Sequence, residues 1–161
     1  MVDFEIKKTK DRGQGLFAKR DFDKGAIILH FGGGTITREE IIANNISNEV
    51  SDRYLQIGTD LFLVIKDHSQ FLNHSCNPNS YIRIAVNNAF LVAAKPIKKD
   101  TELTFDYSLT DNSELHQWAM NCSCGAYACR KTISGFQHLT QEHKDKLIAK
   151  GVVPKYNLPK E

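Results

Sequence analysis

The sequence predicts a mainly β fold with short helices, and three observations predict it. Short segments alternate polar and apolar residues, as Phe4 to Thr9 does, and turn residues punctuate them. Two pairs of apolar segments flank turn residues, so two hairpins are expected. Helical signatures are confined to two or three brief stretches.

Taken in order, Phe4 to Thr9 is a strand, Asp11 to Gly15 a turn, and Leu16 to Ala18 resumes an extended segment. Asp23-Lys24-Gly25 precedes the apolar run Ala26 to Leu29, and Gly32-Gly33-Gly34 reads as a flexible loop. Thr37-x-x-Glu40 is a capping-box pattern that starts a helix through Ile41 and Ile42. Arg53 to Ile57 and Leu61 to Ile65 form the first hairpin. Tyr81 to Ala85 and Ala89 to Ala93 form the second, across Asn87-Asn88. Glu102 to Phe105 is a further strand, and Asn112 to Met120 a short helix. Leu139 to Lys150 is helical, with Thr140 at its start and Gly151 as its stop. The tail from Val152, with two prolines, is expected to lie extended. There is no internal repeat and no low-complexity tract.

At 161 residues the chain is one domain, or one domain with a small appendage. Hydrophobic residues make up 41%, enough for one core. No apolar run approaches the ~20 residues of a membrane-spanning helix, so no membrane association is expected. A net charge of +2, with the basic residues dispersed, gives no reason to expect nucleic-acid binding. Met1 to Lys10 lacks the apolar stretch of a signal peptide. The expected location is therefore intracellular: cytoplasmic in a microbe, with the nucleus left open.

All four cysteines fit one task. Cys122, Cys124 and Cys129 form a C-x-C-x4-C run, and Cys76 lies within Asn73-His74-Ser75-Cys76-Asn77-Pro78-Asn79. Four thiolates are a common ligand set for structural zinc. Such a site would fasten the C-terminal segment onto the loop around Cys76, which is rich in amides and carries an imidazole. Disulfides or free thiols are the alternative. Cys122 and Cys124 are too close to bridge each other easily, and clustered cysteines in a reducing compartment favour metal.

Three segments then resemble one family. Gly13-Gln14-Gly15-Leu16-Phe17-Ala18, Phe71 to Asn79 with its N-H-S-C-x-P-N core, and Glu102-Leu103-Thr104-Phe105-Asp106-Tyr107 are similar to motifs of the SET-domain protein lysine methyltransferases. The cysteine triplet resembles their post-SET segment, whose fourth zinc ligand is the cysteine of the second motif. The likeness covers roughly residues 4 to 135 and looks most like small free-standing microbial or viral members. It implies a β-clip fold with a pseudoknot made by the two later motifs. Its parts would be a SET domain over 4–110, a post-SET zinc segment over 111–135, and a C-terminal helix and tail over 136–161. A glycine-rich nucleotide fingerprint between strand and helix is missing, so a Rossmann-type methyltransferase is not supported.

The resemblance also implies the chemistry. S-adenosylmethionine would bind against Gly13, Gln14, Gly15, Asn73, His74 and Tyr107, with one structural zinc on Cys76, Cys122, Cys124 and Cys129. Tyr107 would be the catalytic tyrosine, and Phe105 and Tyr54 would line the substrate channel. The partner would be a protein or peptide, histone or not, presenting a lysine. Phe105 leaves room that a tyrosine hydroxyl would fill, which points to di- or trimethylation. Trp118 and Tyr127 read as packing residues. His30, His68, His116, His138 and His143 show no competing ligand spacing.

The sequence departs from the family in three places. Gln70 stands where members often have an arginine, Arg130 to Ile133 offers no aromatic to cover the cofactor, and no cysteine-rich region precedes Gly13. A catalytically weak SET-like, zinc-stabilised binding module is therefore the rival reading.

Overall fold

A computed structural model of the protein describes residues 2–44, 53–111 and 118–159. The N-terminal alternation becomes β1 (Phe4–Lys8), which pairs antiparallel with β2 (Gln14–Ala18). Leu16 and Ala18 are fully buried while Gln14 is exposed, so β2 runs from a surface turn into the core. The apolar run that follows is β3 (Ile27–His30).

The glycine run is not a loop. Gly33–Thr37 form β4, paired along its length with β6 (Leu61–Ile65), and β5 (Tyr54–Gln56) flanks β6 on the other side. A Cβ on Gly33 would stand 2.0 Å from the Val64 carbonyl oxygen, so glycine is what lets the two backbones meet. Helix α1 (Arg38–Ala43) follows β4, and its capping box is complete. Thr37 Oγ1 accepts from the Glu40 N–H, and the Glu40 carboxylate accepts from the Thr37 N–H.

The second hairpin pairs β8 (Ser80–Ala85) with β9 (Asn88–Ala93) in the register Ala85 to Asn88, and β9 also pairs with β3. The turn is therefore Val86-Asn87, one residue earlier than expected. Both have positive φ, 46° and 61°, as a two-residue hairpin turn requires. Strand pleating decides this register, since a one-residue slip would turn buried Ile82 outward.

Phe22, Phe31, Leu16, Leu91 and Leu103 are among the largest buried side chains of the core. Each contributes about 1.5–3 kcal/mol on burial. Segment 102–105 changes partner along its length. Glu102 bridges Phe17 of β2, and Thr104–Phe105 (β10) pair in parallel with Asn73–His74 (β7). Asn79 fixes this crossing. Its side-chain amide donates to the Glu102 carbonyl at 2.8 Å and accepts from the Thr104 N–H at 3.0 Å. The second and third motifs thus run side by side, as the pseudoknot implies.

Of the helix expected from Asn112 to Met120, residues 112–117 lie outside the described residues. Its end is strand: β11 (Ala119–Asn121) pairs with β12 (Thr132–Ser134), and the Cys122 N–H continues the ladder to the Lys131 carbonyl. These backbone groups find partners across the cysteine loop rather than along a helix. Helix α2 (Gln141–Ala149) begins at the Thr140 cap, as expected. The tail does not stay extended. Lys155–Asn157 form a single 3-10 turn, and the Asn157 amide and Tyr156 hydroxyl donate to the carbonyls of Leu109 and Gln56 at 2.8 Å each. No helix among the described residues is long and apolar enough to cross a membrane.

Candidate functional site

The β7–β10 pairing brings Asn73, His74, Phe105 and Tyr107 together. The Phe105 and Tyr107 rings lie 4.9 Å apart between centroids, and the His74 and Tyr107 rings 5.4 Å apart, edge to face. The Tyr107 hydroxyl donates to the Leu72 carbonyl at 2.6 Å. Phe105 is buried. Tyr54 is half-buried in β5, opposite Val64 and in a different sheet.

The Gly13–Gly15 turn lies against the same pair of motifs. Asn73 Nδ2 donates to the Gln14 carbonyl at 2.9 Å and to Glu102 Oε1 at 2.8 Å. Arg12 joins the group, with Nη2 2.7 Å from Glu102 Oε2 and Nη1 3.0 Å from the His74 carbonyl oxygen. A Cβ on Gly15 would meet Glu102 Oε1 at 2.7 Å, so the turn packs directly on this network. Gln70 is spent elsewhere, its amide donating to the Asp67 carbonyl.

His74 is only 4% exposed, and burial lowers its pKa to about 4 despite the neighbouring Asp106 charge. Its Nδ1 accepts from the Tyr107 N–H at 3.2 Å, so the proton sits on Nε2, 3.2 Å from Cys76 Sγ. The imidazole therefore donates toward the sulfur.

The cysteine cluster is assembled. The ligand atoms of His74, Cys76, Cys122 and Cys124 all lie within 4.8 Å of one another. Cys129 stands beside this set, its Sγ 3.5 Å from the Cys122 carbonyl oxygen. Cys76 and Cys122 have their sulfurs 3.8 Å apart. A tetrahedral site with metal–sulfur bonds of ~2.3 Å has edges of about 3.8 Å, so this pair already fits a metal. Backbone N–H groups of Cys76, Arg130 and Lys131 approach the sulfurs of Cys124, Cys76 and Cys129, at 3.4 Å each. Burial pushes the Cys122 thiol up to about 12. At Cys124 the Cys76 and Ala126 N–H groups outweigh burial, and its pKa falls to about 6.

Sequence reasoning missed the charged residues of the site. Asp106, between Phe105 and Tyr107, is 1% exposed and forms a two-pronged ion pair with Arg130 at 2.6 and 2.7 Å. The signal was present: an aspartate inside an apolar motif needs a buried partner, and an arginine directly after the last cysteine is a candidate. Trp118 is half-buried and its indole N–H donates to Asp111, whereas Tyr127 is fully exposed, so the expectation that it packs is not met.

A β-rich domain with two crossed motifs beside a cysteine cluster is the class this geometry defines. A family model described as SET domain matches residues 13–108, and the chain belongs to that family. It is 26% identical over 146 residues to human histone-lysine N-methyltransferase 2D, a match covering 78% of this chain and 2% of that protein. The methyltransferase domain of human histone-lysine N-methyltransferase SETMAR superposes with a TM-score of 0.67 at 24% identity, covering 84% of this chain and 59% of that one. KRYPTONITE, solved in complex with mCHG DNA and SAH, gives a TM-score of 0.63 at 21% identity over 80% of this chain and 28% of that one. The chain thus spans only a small part of the curated relative.

Proposed function

We propose that this chain is an S-adenosylmethionine-dependent protein lysine N-methyltransferase acting on a lysine of a histone or another protein. The observation that carries the reading is the parallel pairing of Asn73–His74 with Thr104–Phe105 next to the Gly13–Gly15 turn, within a SET domain. The histone-lysine methyltransferase names of its relatives support the substrate class. Residues 4–110 form the SET unit, 111–135 the post-SET segment and 136–161 the C-terminal helix and tail. The working compartment is intracellular, and nuclear for a histone substrate.

S-adenosylmethionine, when bound, supplies the methyl group. Asn73, His74 and the Gly13–Gln14–Gly15 backbone would hold it, and Tyr107 would border it. The lysine amine must be neutral to attack, although its ordinary pKa is near ~10.4. Phe105 and Tyr107 would line an apolar channel that disfavours the ammonium form, and Tyr54, from the neighbouring sheet, would line it on the substrate side. The Tyr107 hydroxyl orients the amine, and holding donor and acceptor in line supplies much of the acceleration. Phe105 adds no hydrogen-bonding group, so the channel admits a second and third methyl group.

One zinc ion fits the cluster and would be structural. Cys76, Cys122, Cys124 and Cys129 are its ligands, because the His74 Nε2 lone pair is taken by its proton when Nδ1 accepts from Tyr107. The test of the reading is labelled methyl transfer to a peptide library by the native chain and by Tyr107→Phe. Loss of turnover with retained cofactor affinity is expected. Wild-type turnover in the variant removes Tyr107 from the mechanism. Cofactor-dependent stabilisation of the native chain without any transfer favours the binding-module reading, for which the loss of a charge at Gln70 is the motivating feature.

A further inference from the structure

Asp106 and Arg130 stand between the cysteine cluster and Tyr107. Arg130 directly follows Cys129, and its backbone N–H lies 3.4 Å from Cys76 Sγ. Its guanidinium grips both oxygens of Asp106, at 2.7 and 2.6 Å, and reaches Ser108 Oγ at 3.2 Å. Asp106 in turn accepts from the Ser108 N–H at 3.1 Å, capping the 3-10 turn Tyr107–Thr110. On the other side His74 Nδ1 lies 3.5 Å from Asp106 Oδ1 and accepts the Tyr107 N–H. The backbone of Tyr107 is therefore held from two directions, and each hold leads back to Cys76.

This pair is a poor source of stability. The side chains are 10% and 1% exposed, so both charges lose nearly all their hydration, and Arg130 Nε is buried with no partner among the described residues. A buried ion pair of this kind adds little net stability over packed apolar residues. What such a pair contributes in some proteins is a single fixed arrangement. A bidentate fork adds direction that a lysine point charge lacks.

We infer that Arg130 is a positioning residue for the transfer reaction, setting the Tyr107 hydroxyl through Asp106 once the cysteine cluster has formed. This rests on the reading of Tyr107 given above. Removing the fork lets the Tyr107 turn relax, and a misplacement of about 1 Å can cost roughly a hundredfold in rate. The loss falls on kcat, because Arg130 is not among the groups that hold the cofactor.

The experiment compares Arg130→Gln and Arg130→Lys with the native chain in zinc content, S-adenosylhomocysteine affinity, and kcat and KM on an unmodified lysine peptide that the native chain methylates. The same proteins are labelled with 3-fluorotyrosine, and the Tyr107 fluorine resonance is assigned from Tyr107→Phe. Expected for Arg130→Gln are one zinc retained, cofactor affinity within about threefold, a kcat lower by about tenfold or more, and a displaced Tyr107 resonance. Arg130→Lys shows the same changes to a smaller degree, and it carries the test if the glutamine variant does not fold. Adding Asp106→Asn to Arg130→Gln slows the enzyme little beyond the worse single change, since the two act as a unit. Native kcat with a native Tyr107 resonance overturns the inference. So does a fall in activity that tracks zinc loss while the resonance stays in place. If the native chain transfers no methyl group, the enzyme reading fails, while the fluorine resonance still decides whether Arg130 sets Tyr107.

Discussion

Replacing Gly15 by alanine puts one methyl group into the most crowded point of the candidate cofactor site. Its Cβ would lie 2.7 Å from Glu102 Oε1, 2.9 Å from Thr9 Cγ2 and 3.1 Å from Asn73 Nδ2. Glu102 and Asn73 have flexible ends, but both ends are committed. The same Asn73 amide bonds Glu102 at 2.8 Å and the Gln14 carbonyl at 2.9 Å, while the other Glu102 oxygen holds Arg12 at 2.7 Å. Relief requires loosening the Asn73–Glu102 bond, and a hydrogen bond to a charged group is worth about 1.5–3 kcal/mol. If that network is what meets the cofactor, the loss appears as roughly a ten- to hundredfold weaker affinity. Gly13→Ala is the control. Gly13 has φ +70° with nothing within 4 Å of its added Cβ, so its cost is conformational, about 1–2 kcal/mol, and falls on folding. Calorimetric titration with S-adenosylhomocysteine, paired with denaturant unfolding, separates the two. Native affinity in Gly15→Ala, or a larger affinity loss in Gly13→Ala, would refute the assignment of this turn.

Three further outcomes are expected. Metal analysis of the native chain gives about one zinc, and Cys129→Ser loses it, loosens the β11–β12 segment and weakens cofactor binding; normal binding and turnover would uncouple the cluster from the site. Phe105→Tyr shifts product toward monomethyl-lysine in a mass-spectrometric time course, and it costs up to about 1–3 kcal/mol of stability if the added hydroxyl finds no room beside Tyr107; an unchanged product ratio would assign the limit to another residue such as Tyr54. Asp67 accepts from the Gly32 and Ser69 N–H groups at 2.8 and 2.9 Å, so Asp67→Ala costs about 1–2 kcal/mol.

The Asp67 difference depends on pH with a definite sign. Burial raises its pKa, but the Ser69 and Gly32 bonds outweigh burial and hold it below 3.8. The unfolded chain then takes up the proton first as the pH falls. The contribution is complete above 3.8 and is lost as the pH drops through the folded value. Unfolding curves of native and Asp67→Ala should draw closer in strong acid, and a constant gap would contradict this.

By itself the sequence determined the elements whose causes are local. Thr37-x-x-Glu40 and Thr140 cap their helices with their own side chains, and the apolar alternation around two turns makes both hairpins. The motif residues Asn73, His74, Phe105 and Tyr107 were legible because their types and spacing are distinctive, and so was the pooling of Cys76 with Cys122 and Cys124. Tertiary structure decided what depends on a distant partner. Gly33 is strand because Val64 approaches it, Ala119 and Met120 are strand because β12 offers carbonyls and N–H groups, and Tyr156 folds back because the Gln56 carbonyl receives it. The charged network was hidden for the same reason. Arg12 with Glu102, and Asp106 with Arg130, are 90 and 24 residues apart, and burial makes each pair necessary only after the chain has brought them together.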